Sequence, residues 1–236
     1  MQYGKMHEVL GKGNHEGRVL LREIAKKPHF FGVGALEQLS GEVTIVDGKI
    51  ITSRVGEKGK VETSEEAGEN EKAALLIGAY VPSWNEPKAT GPLSAGALDD
   101  HIAKEAKNVA LDTSEPFVFR IEGELVGVKM HVVHGACPIH ARLKDSEIPS
   151  TQKPYMTQIE KGQGTIIGVF ATDAVGNITH PATASHMHVI MEDPATGKKM
   201  TGHLEEVGLG EGATLQLPKS EGPMVTLLEG LSGRHS

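Results

Sequence analysis

The sequence predicts an α+β protein whose first half mixes helix with strand and whose second half is nearly all antiparallel strand. The two runs of apolar residues at helical spacing both fall before residue 110. Strand-like runs of β-formers dominate the remainder, and 29 glycines supply turns between them.

Along the chain, HEGRVLLREIAKKPHF places Val19, Leu20, Leu21 and Ile24 on overlapping helical faces. Pro28 stops that helix, because its ring clashes with the preceding turn and restricts the residue before it. In FGVGALEQLSGEVTIVDGKIITSRV, Asp47-Gly48 sits between two β-rich runs, a strong signal for a tight hairpin. Residues 56–72 are charged and poor in large apolar groups, and read as an exposed hairpin or loop. AALLIGAYV reads as a buried strand, and Leu98, Ile102, Ala106 and Val109 recur at helical spacing. EPFVFRIEGELVGVKMHVV reads as a second hairpin, turning at Glu122-Gly123, and the stretch from Gly135 to Thr151 as irregular. The runs GTIIGVFATD, SHMHVIME, KMTGHLEEV and ATLQLP then read as strands. The expected division is residues 1–115 for the mixed half and 116–236 for the β half, packed as one unit.

Composition narrows the function. The 236 residues suffice to bury a real core. A net charge of −7, without a clustered basic face, argues against a nucleic-acid partner. No apolar run approaches the roughly 20 residues that span a bilayer. The single Cys137 excludes an intrachain disulfide, and no secretory signal is visible at Met1. The expectation is therefore a cytoplasmic protein, an exported form being open if a signal peptide has been removed.

ASHMHVI and MTGH carry the sharpest chemical signal. Side chains alternate along a strand, so His186 and His188 share a face. A four-residue turn, Pro194-Ala195-Thr196-Gly197, would pair Asp193 with Lys198 and set His188 opposite His203. Directly opposed residues share a face with Cβ atoms about 5 Å apart, so three imidazoles would converge. Three neutral imidazoles without a fourth protein ligand suit a catalytic zinc site with an open position. Iron, copper, cobalt and nickel also accept imidazole. Glu42 shares a face with Thr44 along GEVTIV, and pattern alone favours a solvated carboxylate there. In HVVHGACPIHAR, His131 and His134 face opposite ways, and the segment reads as a loop with scattered polar residues rather than a second metal site.

The runs QYGKMHEVL, HFFGVGALEQLSGEVTIVDGKI, EPFVFRIEGELVGVKMHVV, QKPY, GTIIGVFATD, SHMHVI and GHLEEV, in that order, resemble the α-acetolactate decarboxylases over nearly the whole chain. The C-terminal HMHVIMEDPATGKKMTGHLEE by itself also resembles the small PPC-type domain of the same fold. The resemblance implies a mixed N-terminal sheet with helices, a C-terminal antiparallel β-barrel, and a homodimer. It implies that His186, His188 and His203 hold zinc or another divalent transition metal, and that Glu42 is the active-site glutamate. The implied reaction converts 2-acetolactate, a small keto acid, to acetoin. One position departs from the family: His131 stands where the family has an arginine that holds substrate oxygens. Histidine lacks that fixed, always-charged fork. Arg142 is a candidate substitute, and Glu221 or Glu229 for a distal family glutamate. The departure keeps two rivals open: a metal-binding relative without the chemistry, and a lyase or isomerase for another hydroxy-keto acid.

Overall fold

A computed structural model describes residues 1–181, 183–193 and 196–219. Seven strands form the first sheet: β1 (Gln2–Tyr3), β2 (Val19–Leu20), β3 (Phe30–Leu36), β4 (Glu42–Val46), β5 (Lys49–Val55), β6 (Val61–Ser64) and β7 (Lys72–Tyr80). Their spatial order is β1-β7-β3-β4-β5-β6, with β2 also on β7. Every pairing is antiparallel, where a mixed sheet was expected. Short connections explain the β3–β4, β4–β5 and β5–β6 pairings, since parallel neighbours need a crossover of a dozen or more residues. The β4–β5 hairpin turns at Asp47 and Gly48, both at positive φ, as the Asp-Gly pair predicted.

The second sheet holds β8 (Lys88–Ala89), β9 (Phe117–Val132), β10 (Tyr155–Phe170), β11 (Ser185–Glu192), β12 (Lys199–Leu209) and β13 (Thr214–Gln216). β10 pairs β11, β11 pairs β12, β12 pairs β9, and β9 pairs β10 again. The expected barrel thus appears as a four-strand circuit of pairings. Among the described residues there are three α-helices, α1 (Leu21–Ile24), α2 (Leu98–Asn108) and α3 (Pro138–Leu143), besides short 3-10 and π turns. None is long and apolar enough to cross a membrane.

Two expectations are corrected. The helix before Pro28 shrinks to α1, because Val19 and Leu20 pair with Ala73 and Lys72 of β7 instead. The hairpin at Glu122-Gly123 does not form, and β9 runs through both residues as one strand of 16. Gly123 is opposite Gly164 of β10 and adopts φ +132°, which bends the strand where a turn was expected. A side chain there would meet the Ala213 backbone at 2.7 Å, which is why this position carries glycine.

One apolar cluster lies within the second sheet and under α2, around Phe119, Ile121, Phe170, Val189 and Leu204. Val43 and Ile45 of β4 sit in another, with Leu21, Phe30 and Leu76. The opposite face of β4 meets β12: Thr44 and Thr201 hydroxyls lie 2.6 Å apart, and the Thr201 amide donates to Ser53 Oγ at 2.9 Å. The first sheet therefore lays a polar stripe against the strands that carry the histidines.

Candidate active site

His188 is opposite His203 in the β11–β12 pairing, the register predicted from the sequence. Glu192 pairs with Lys199, and the Asp193 amide donates to the Lys198 carbonyl. Pro194 and Ala195 of the intervening turn lie outside the described residues. The rings of His186, His188 and His203 are 5.0 to 5.7 Å apart, centre to centre. Each offers a nitrogen within 4.8 Å of the other two, and all three side chains are buried. Among the described residues no other group of histidine, cysteine and carboxylate side chains has this spacing.

The donor set fits a transition-metal ion. His186 Nδ1 and His188 Nε2 are buried without a hydrogen-bond partner among the described residues. Such orphaned nitrogens are rare unless something else satisfies them. Burial holds all three rings neutral, the form a metal requires: His186 falls to about 3, and His188 and His203 fall well below the ordinary imidazole value. Repulsion among the neighbouring histidines adds to the effect.

Thr44 Oγ1 lies 3.1 Å from His188 Nδ1. If that nitrogen carries the ring proton, it donates to Thr44, which donates onward to Thr201, and Nε2 keeps its lone pair for a metal. Glu42, two residues earlier on the same face, is buried, against the solvated carboxylate that pattern favoured. The reason is the second sheet, which covers that face of β4. Glu42 Oε2 lies 3.6 Å from His188 Nε2, and Oε1 accepts from the Val133 amide at 3.3 Å. Burial outweighs that single bond and pushes the carboxyl up to about 8, so Glu42 is protonated at neutral pH in the protein alone.

His131, on β9 opposite His203, turns its ring to 5.0 Å from that residue. Its Nδ1 is 2.8 Å from Glu205 Oε1, and the other Glu205 oxygen pairs with Arg142 on α3. Glu205 occupies an irregularity in the β12–β9 register, between Leu204 opposite Met130 and Glu206 opposite Lys129, and such an extra residue re-aims its side chain. Burial pushes Glu205 up, yet His131 and Arg142 together outweigh it and leave the carboxyl below its ordinary value. Burial lowers His131 despite Glu205. Arg142 is over half exposed and reaches the site only through Glu205.

A fifth imidazole, His180, comes from the β10–β11 connection, 5.1 Å from the His203 ring and 6.4 Å from the His186 ring. Burial and neighbouring His131 lower it to about 4. The rings of His131, His180, His186 and His203 line a cavity of about 20 Å³, with Glu42, Cys137, Met6 and Leu10 also in its wall. Burial pushes the Cys137 thiol up to about 11.

Sequence reasoning brought Glu42, His131 and the triad to this place and Arg142 to its edge, and it missed Thr44, Glu205 and His180. Thr44 and Glu205 follow Glu42 and His203 by two residues, the alternation that already paired His186 with His188. His180 sits in AVGNITHPATAS, where no period fixes its direction. Glu221 and Glu229 lie outside the described residues.

The chain resembles proteins of one kind in sequence and in fold. The family model for alpha-acetolactate decarboxylase matches residues 1–227, spanning both halves. The alpha-acetolactate decarboxylase of Streptococcus thermophilus is 24% identical over 212 residues, covering 89% of this chain and 82% of that protein. That of Lactococcus lactis subsp. cremoris is 25% identical over 222 residues, covering 93% and 86%. The crystal structure of the Bacillus subtilis enzyme superimposes with a TM-score of 0.65 at 19% identity, covering 92% of this chain and 84% of that one. A Staphylococcus aureus protein of unknown function, described as similar to alpha-acetolactate decarboxylase, gives a TM-score of 0.67 at 16% identity, covering 93% and 85%. The chain belongs to the alpha-acetolactate decarboxylase family of carboxy-lyases.

Proposed function

We propose that the protein decarboxylates 2-acetolactate to acetoin at a divalent metal, zinc or a near relative, held by His186, His188 and His203. Bound there, the ion supplies Lewis acidity, drawing electron density from the substrate's ketone as carbon dioxide leaves. The bond from the substituted carbon to the carboxylate breaks, and its electron pair passes toward the ketone oxygen, giving an enediolate. That carbon must then gain a proton. Glu42 is the group in position to deliver it, buried with one carboxyl oxygen 3.6 Å from His188 Nε2. The Thr44–Thr201 chain holds His188, and Glu205 holds His131 against the cavity. The cavity as it stands has space for a water-sized guest only, so admission of a five-carbon acid requires its walls to move apart. The same proposal takes the protein as a homodimer, as the resemblance implies, which sedimentation in solution checks.

Carrying this conclusion is the convergence of three buried imidazoles, with the buried Glu42 beside His188, in a chain matched by the family model nearly end to end. The test is acetoin formation from racemic 2-acetolactate by zinc-loaded protein, measured above the spontaneous background. Turnover is expected to vanish with chelator and in His188→Ala. Stoichiometric zinc without acetoin would end the proposal. It would favour a metal-binding relative, for which the His131 ring at the family's arginine position, tied to Glu205, is the supporting observation.

A further inference from the structure

We propose that His180 contacts the substrate directly, donating a hydrogen bond to the carboxylate of a 2-hydroxy acid held at the histidine triad. This rests on the decarboxylase proposal for the class of acid, and on the arrangement of donors around the cavity for the residue.

A carboxylate entering this cavity needs an N–H or O–H aimed at it, and the candidates can be counted. Glu205 faces both His131 and Arg142. An ionised carboxylate can only accept, so His131 Nδ1 donates to it, and the neutral ring presents Nε2 to the cavity as an acceptor. Arg142 is committed to the other Glu205 oxygen and does not line the cavity. The triad nitrogens that converge are acceptors in the form that binds metal. Glu42 is taken up by the proton that the reaction needs at carbon.

His180 is different. The residue is buried, and its ring lines the cavity beside two triad rings. Neither ring nitrogen has a hydrogen-bond partner among the described residues. It does not belong to the group whose donor atoms lie within 4.8 Å of one another, so it stands beside the metal position rather than in it. A neutral imidazole always carries one N–H, and here nothing in the protein takes it. The segment bearing the ring is also fixed in place. Asn177 and Gly176 carbonyls accept from the amides of Met6 and His7, Gln2 Nε2 donates to Asn177, and Ile178 and Thr179 are fully buried. An unpartnered donor in the cavity wall, on a tethered segment, is a preorganised place for an anionic oxygen.

The test uses the full zinc-loaded chain and 2-hydroxy-2-methylpropanoate, which keeps the hydroxyl and carboxylate but has no ketone and cannot lose carbon dioxide by this route. Calorimetry is expected to show binding to the wild type, at least tenfold weaker binding to His180→Ala, and partial recovery in His180→Gln, whose amide restores a donor. Zinc affinity, measured against a competing chelator, should be unchanged in both variants. If His180→Ala does not fold, His180→Gln is compared with His180→Met, of similar size but without a donor. Unchanged acid affinity in the variants, or no binding of the acid by the wild type, overturns the assignment. So does a loss of zinc affinity matching that of His186→Ala, which would make His180 a ligand. Wild type that binds the acid through His180 yet makes no acetoin from 2-acetolactate overturns the decarboxylase proposal while supporting this one.

Discussion

The two side chains of β4 that reach the site do different work, and substitution can separate them. Thr44 touches the His188 nitrogen remote from Glu42, and its hydroxyl can accept the proton of that nitrogen in a hydrogen bond so that the other keeps its lone pair. Thr44→Val preserves shape and removes that hydrogen bond. Zinc affinity should fall about 10- to 100-fold, the usual effect of losing a partner to a ligating histidine, as read by chelator competition. Glu42→Gln should leave zinc affinity within a few-fold of wild type but lower acetoin turnover by about 10²- to 10⁴-fold, the range typical of a lost general acid. Equal loss of metal and turnover in Glu42→Gln would make the carboxylate a ligand instead.

At the scale of elements, period-2 alternation was the most informative part of the sequence. It put His186 and His188 on one face, and the turn count put His203 opposite. The same rule led pattern reasoning astray at Glu42, because alternation says which residues share a face but not what covers it. That cover is a separate sheet, contributed by distant sequence. Gly123 shows the complementary failure: glycine between β-rich runs reads as a turn, while here it permits a bend inside β9. Gly123→Val should therefore destabilise the fold by roughly 1–3 kcal/mol through backbone strain alone, with more from the Ala213 backbone 2.7 Å from the new Cβ. Urea unfolding measures it, and no change would mean that the bend is not needed.

For the molecule as a whole, the buried histidines make metal-free stability depend on pH. His180 and His186 sit at about 4 and 3, and His131, His188 and His203 are also lowered, chiefly by burial. Unfolded, each would titrate near 6.5. Their contribution is thus complete above pH 6.5 and is lost as pH falls toward the folded values. Glu42 has the opposite sign, its folded value near 8 lying above the ordinary 4.5, so its contribution fades as pH rises toward 8. Chelator-treated protein should be most stable near pH 6.5. Below that, each buried histidine steepens the decline by about 1.4 kcal/mol per pH unit. Urea melts across pH 5 to 9 check both limbs, and Glu42→Gln should flatten the alkaline one.

The strand circuit has a consequence for how durable the ligand geometry is. β11 is bonded on one side to β10 and on the other to β12, and β12 continues to β9. A two-residue slide between the histidine strands would keep their side chains facing the same way, yet it would have to break and remake ladders all around the ring. Ligand spacing here cannot creep by small steps. An ion held by these histidines would leave through the mouth of the cavity or when the circuit of pairings comes apart.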